Sequence, residues 1–138
     1  MWGGCNLLKR KLLSIVLAVC LATGGVYSQS GRVASPPLTH QYREYNHEFF
    51  EDKLPKDLIV YWGPAGGDHF IAYTYHLGEP DVWIEMNPKY NRASTETFLN
   101  LLHEMCHVSV GQTFDAHGPK WQKCMHNLAD VGAFDDLW

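Results

Sequence analysis

No apolar run in this sequence approaches the roughly 20 residues that a bilayer-spanning helix needs; the uncharged stretch Leu12 to Ala22 is well short of that. Basic residues are also few, 11 Lys+Arg against 15 Asp+Glu in 138 residues, and Lys9, Arg10 and Lys11 are spent together just ahead of the apolar stretch. Beyond residue 28 the chain is therefore more acidic still than its overall formal charge of −4. That balance offers a polyanion nothing to hold, so a nucleic-acid partner is not expected. Cysteine is scarce, 4 in all, and Cys5 and Cys20 fall in the first 28 residues, leaving Cys106 and Cys124. No internal repeat and no second domain are visible.

What is present at the N-terminus has the order basic, apolar, small: Lys9 to Lys11, then Leu12 to Ala22, then Gly24, Gly25, Ser28 and Ser30. This is the pattern of a secretory signal, with cleavage expected near Ser28, before Gln29. The reading predicts an exported protein, periplasmic or extracellular, with no stable membrane span after cleavage. Residues 29–37, rich in Ser, Gly and Pro, read as a linker, and residues 38–138 as one domain with a modest core. All 8 histidines lie in that domain.

The domain reads as α+β. Thr39 is expected to cap a first helix running to about Lys53, with Tyr42, Tyr45, Phe49 and Phe50 at helical spacing forming core. Leu58 to Trp62, His69 to Leu77 and Val82 to Met86 read as strands separated by Gly/Pro/Asp turns, and the short connections predict a three-stranded antiparallel meander. Ser94 or Thr95 then caps a helix to about Val110, closed by Gly111, and Pro119 opens a last helix to about Asp130.

The chemistry lies in Leu101-Leu102-His103-Glu104-Met105-Cys106-His107, an H-E-x-x-H sequence in an amphipathic helix. Residues four apart share one helical face, so His103 and His107 aim two imidazoles at one point with the Glu104 carboxylate beside them. Imidazole suits Zn²⁺, and the carboxylate can take a proton from water. The polar arc of this helix carries Glu96, Asn100, His103, Glu104 and His107 but no Lys or Arg, which is unlike an ordinary wet face. Two histidines do not fill a tetrahedral site. His117 is the first candidate for a third ligand, Asp115 the second, with His126 and Asp130 behind them. Cys106 falls on the apolar arc, so Cys106 and Cys124 are read as two packed thiols in preference to a bridge.

Taken together, the element order and the stretches Tyr45-Asn46-His47-Glu48-Phe49-Phe50, Lys53-Leu54-Pro55, Tyr61-Trp62, Leu101 to His107 and His117-Gly118-Pro119-Lys120-Trp121 resemble the SprT-like (Spartan-like) metallopeptidase family, over roughly residues 38–130. The resemblance implies a minimal zincin-like domain binding one Zn²⁺ through His103, His107 and His117, with Glu104 as catalytic base. Family members that act on DNA-attached proteins carry additional segments. The leader, the acidic domain and the lack of a C-terminal extension set this chain apart, so that part of the family's function is not carried over.

The spacing also separates the relatives. A metzincin pattern would need glycine and histidine where Val110 and Thr113 stand, and no Glu follows Glu104 to serve as a thermolysin-like ligand. The expected activity is zinc-dependent peptide-bond hydrolysis of a protein or peptide substrate. Tyr73, Tyr75 and His76 are candidates for stabilising an oxyanion, with ordinary packing or exposure the plainer reading. The strand Val82 to Met86, if at the sheet edge, would receive an extended peptide near Trp83 and Glu85. The alternatives are a non-catalytic zinc-binding or protein-binding module on the same fold and a cell-wall peptide hydrolase.

Overall fold

The fold begins earlier than the linker-like composition of residues 29–37 suggests. In the computed structural model, which describes residues 31–135, Val33–Ala34 forms a short strand, β1, pairing antiparallel with β2 (Ile59–Trp62). Ser35 follows as the cap of helix α1 (Pro36–Phe49), its side chain accepting a hydrogen bond from the Leu38 N–H at 3.4 Å. Pro36 and Pro37 occupy the first helical positions, where a missing N–H costs nothing. Thr39 is thus inside the helix and is not its cap: its Oγ1 accepts from the Val60 N–H at 3.0 Å and donates to the Val60 carbonyl at 3.4 Å, pinning α1 to β2. The helix stops at Phe49, short of Lys53, because Glu51 and Asp52 turn left-handed (φ 55° and 59°). Asn46 in its last turn reads the Leu54 backbone in both directions, at 3.1 and 3.0 Å. The aromatic stripe is core as expected, with Tyr42 fully buried and its hydroxyl donating to the Pro55 carbonyl. The expected leader lies outside the described residues, among which no helix is long and apolar enough to cross a membrane.

The sheet is four-stranded and mixed, in the order β1-β2-β4-β3, and corrects the expected three-stranded antiparallel meander. After β2 the chain makes a short helical turn, α2 (Ala65–Asp68), in which Gly66 and Gly67 are left-handed. It then forms β3 (Ala72–Tyr75) and returns through β4 (Trp83–Met86). β3 and β4 are antiparallel, but β4 inserts beside β2 and runs parallel to it, Val60 opposite Ile84 and Trp62 opposite Met86. Burial explains the order. Val60, Ile84 and Met86 are fully buried, so β2 and β4 take the centre, whereas β3 exposes Tyr73 and takes the edge.

Helices α1 and α3 (Ser94–Val110) lie against the sheet face that carries Val60, Ile84, Met86, Ala72 and Thr74. The reverse face carries Tyr61, Tyr75 and Trp83, with the Arg32 guanidinium 4.4 Å from the Trp83 ring and 5.0 Å from the Tyr61 ring. Glu85, also on this face, is only 2% exposed. Helix α4 (Pro119–Asp130) packs on α3, and its bounds are those the sequence predicts. Cys106 of α3 and Cys124 of α4 form a disulfide, their Cα atoms 5.8 Å apart. The expected free thiols are therefore a bridge: the buried side of α3 that holds Cys106 faces α4 as well as the sheet.

Candidate metal centre

Helix α3 brings the first two imidazoles together by its own geometry. A β-extended Ala93 precedes it without a side-chain cap, Glu96 sits in its first turn, and left-handed Gly111 (φ 68°) ends it, its N–H donating to the His107 carbonyl. The i, i+4 spacing leaves the Nε2 atoms of His103 and His107 3.2 Å apart. The connection after Gly111 then carries His117 back over α3, placing its Nε2 3.0 Å from that of His103. One ring nitrogen from each histidine lies within 4.8 Å of the other two. Two nitrogens each bonded at about 2.0–2.1 Å to a tetrahedral zinc stand about 3.3 Å apart, so the three histidines could hold a metal ion.

Trp121, in the first turn of α4, props the cluster. Its ring centroid lies 4.6 Å from those of His103 and His117 and 5.7 Å from that of His107, and its Nε1 donates to the His103 carbonyl at 3.3 Å. Gln122 Nε2 donates to the His117 carbonyl at 2.9 Å. Asp115 plays another part from the one considered for it. Its carboxylate accepts the His117 N–H and its carbonyl accepts from Thr113 Oγ1 and from the Gly118 N–H, so it shapes the turn and is not in the cluster. Nor are His126 or Asp130 in it.

Glu104 is buried beside the histidines. Its Oε2 accepts a 2.7 Å hydrogen bond from Thr74 Oγ1 on β3. Burial pushes its carboxyl up to about 7, against the lowering effect of the Thr74 bond. Burial and the neighbouring imidazoles pull His103 down to about 4, and burial with His117 does the same to His107. Those two rings are thus neutral at pH 7, the form that binds a metal. A carboxyl displaced upward beside imidazoles displaced downward marks this group as a candidate functional site.

A cleft of about 370 Å³ opens over this group between β3 and α3. Of the three oxyanion candidates only Tyr73 borders it. The Tyr75 hydroxyl is engaged by the Gly66 N–H at 2.9 Å, and His76 pairs with Asp81 at 2.7 Å and packs on Trp83. Trp83 and Glu85 lie on the reverse face of the internal strand β4, so the unpaired edge beside the cleft is β3 and not the expected strand Val82 to Met86. Thr74 was not singled out in the sequence; only the packing of β3 against α3 shows that it meets Glu104.

The match to known proteins covers nearly all of the described chain: residues 38–135 fit the model of the SprT-like family. No curated protein and no solved structure matches the chain significantly.

Proposed function

The chain belongs to the SprT-like family, and from that premise we propose that it is an exported, zinc-dependent peptidase. The observation that carries the reading is the convergence of three imidazole nitrogens next to one buried carboxylate. His103, His107 and His117 would hold the ion through one ring nitrogen each. Bound there, zinc supplies an acidified water, with a pKa of about 7, and polarises a peptide carbonyl.

The protein's own groups do the rest. Glu104 takes a proton from the attacking water as its oxygen bonds to the carbonyl carbon, then delivers that proton to the amine nitrogen as the C–N bond breaks; the remaining water proton passes from the new carboxyl group to the amine, giving one carboxylate and one ammonium. Thr74 orients the carboxylate and Trp121 fixes the imidazole planes. An extended substrate lies along the unpaired edge of β3, where strand addition places its backbone beside the histidines. Export is supported by the basic-apolar-small leader and by the Cys106–Cys124 bridge, since disulfides persist in oxidising compartments.

The test is metal analysis and turnover on the same purified protein. One zinc per chain and cleavage of casein are expected, with His117→Ala losing the metal. Zinc bound as tightly by His117→Ala would remove His117 from the ligand set. A zinc-loaded protein that cleaves purified peptidoglycan but not casein would transfer the activity to cell-wall peptides.

A further inference from the structure

The cleft over the histidines has a partly exposed apolar wall. Phe70 and Ile71, just before β3, are 49% and 50% exposed, and Tyr73 is 41% exposed. Together with Leu77 and Ala116 they make the cleft lining overwhelmingly apolar. Exposed apolar side chains gathered at one place, instead of scattered, mark a binding surface. No Lys or Arg lines the cleft, and its one carboxylate, Glu104, is engaged by Thr74.

This wall is also held in position. The Ile71 carbonyl accepts from the Asn87 N–H at 2.9 Å and from Asn91 Nδ2 at 2.8 Å, and the Phe70 carbonyl accepts from Asn87 Nδ2 at 3.2 Å. Asn87 and Asn91 are themselves buried, and Asn100 of α3 donates to Asn91 Oδ1 at 2.8 Å, locking the wall to the helix that carries the histidines. The Phe70 ring lies against Gly66 so closely that any Cβ there would strike it. The backbone is thus fixed by buried amides where Ile71 borders the cleft, while the Phe70 ring also packs on the Tyr73 ring, centroids 5.2 Å apart.

We infer that this wall selects the substrate: the cleft takes an extended peptide with a bulky apolar residue next to the scissile bond, and discriminates against acidic and basic residues there. The inference rests on the peptidase reading for the words "scissile bond", but the selectivity is a property of binding and is measurable without turnover. An apolar side chain seated in such a wall gains by leaving water, and a charged one loses its hydration with nothing to replace it. The occupant is a peptide because the wall continues directly into the unpaired edge of β3 on one side and the histidine cluster on the other.

The experiment uses zinc-loaded Glu104→Gln protein and labelled ten-residue peptides that differ at one central position, Leu or Phe against Asp, Lys or Gly, with dissociation constants from fluorescence anisotropy. Binding about tenfold or more tighter for Leu and Phe is expected. Ile71→Asp should erase that preference and favour the Lys peptide, and Leu77→Asp should do the same from the other end of the wall; unchanged thermal unfolding of either variant certifies its fold. Equal dissociation constants for Leu and Asp peptides, or no binding at all, would overturn the inference. Wild-type turnover of the same peptides separates the two claims. Apolar-selective binding without cleavage overturns the peptidase and leaves the cleft, whereas cleavage indifferent to the central residue overturns the cleft and leaves the peptidase.

Discussion

The two sides of helix α3 are both largely withdrawn from water, yet withdrawal does opposite things to them. On one side Leu101, Leu102, Met105 and Cys106 are buried against the sheet and α4, and each gains by it. On the other, His103, Glu104 and His107 are penalised, and the penalty shows as imidazoles drawn down to about 4 and a carboxyl driven up to about 7. One side of the helix makes the fold, and the other uses the fold's interior to hold ionisable groups away from their ordinary equilibria. Groups displaced in this way cluster at functional sites.

The contrast can be broken most severely at Glu104. Glu104→Gln is expected to lower casein turnover by about 10²–10⁴-fold, the range for a lost general base, while metal analysis still finds the ion. On the opposite side, Leu102→Ala should cost about 2–5 kcal/mol of unfolding free energy in denaturant titration, with metal content per folded chain unchanged. Metal loss in Leu102→Ala without loss of stability would erase the distinction between the two sides. The disulfide joins them. Reduction, or Cys106→Ala with Cys124→Ala, opens a link across 18 residues of sequence, an effect of about 3 kcal/mol. Because α4 carries Trp121 against the imidazoles, zinc affinity in a chelator competition should fall along with the melting temperature.

The smallest effect is on pH dependence after the metal is stripped. His103 and His107 lie near 4 in the folded chain against an ordinary 6.5, so over that interval only the unfolded chain takes up their protons. The stability they confer is complete above pH 6.5 and lost as pH falls toward 4. Glu104, raised from 4.5 to about 7, acts in the other direction: its contribution is complete below pH 4.5 and lost as pH rises through 7. Stripped Glu104→Gln should therefore lose melting temperature more steeply between pH 6.5 and 4.5 than stripped wild type. Parallel melting curves for the two proteins would show that burial does not displace the Glu104 carboxyl.

Much of this was legible where periodicity speaks. The 3.6-residue pattern of α3 predicted both of its sides, and the i, i+4 histidines followed from it; His117 was the first candidate to join them, and its ring lies beside the other two. The strands were found but not their order, because alternation tells which side of a strand is buried and says nothing of its neighbour. β4 moved to the centre through long-range pairing with β2 that no local signal encodes. β1, two residues long, lies below the reach of any periodicity. The bridge was missed because a buried cysteine on an apolar arc looks the same whether it faces aliphatic carbon or another sulfur. Thr74 was hidden for a similar reason: its meeting with Glu104 spans 30 residues of sequence.

That hydroxyl has a mechanical corollary. It ties the Glu104 carboxylate to the very margin along which, on the proposed reading, a visiting chain would lie, so docking and acid–base alignment would share one strand. Every backbone bond a visitor adds to β3 stiffens the support of Glu104, and trimming the visitor should then depress kcat and not KM alone, measurable with a ladder of progressively shortened peptides.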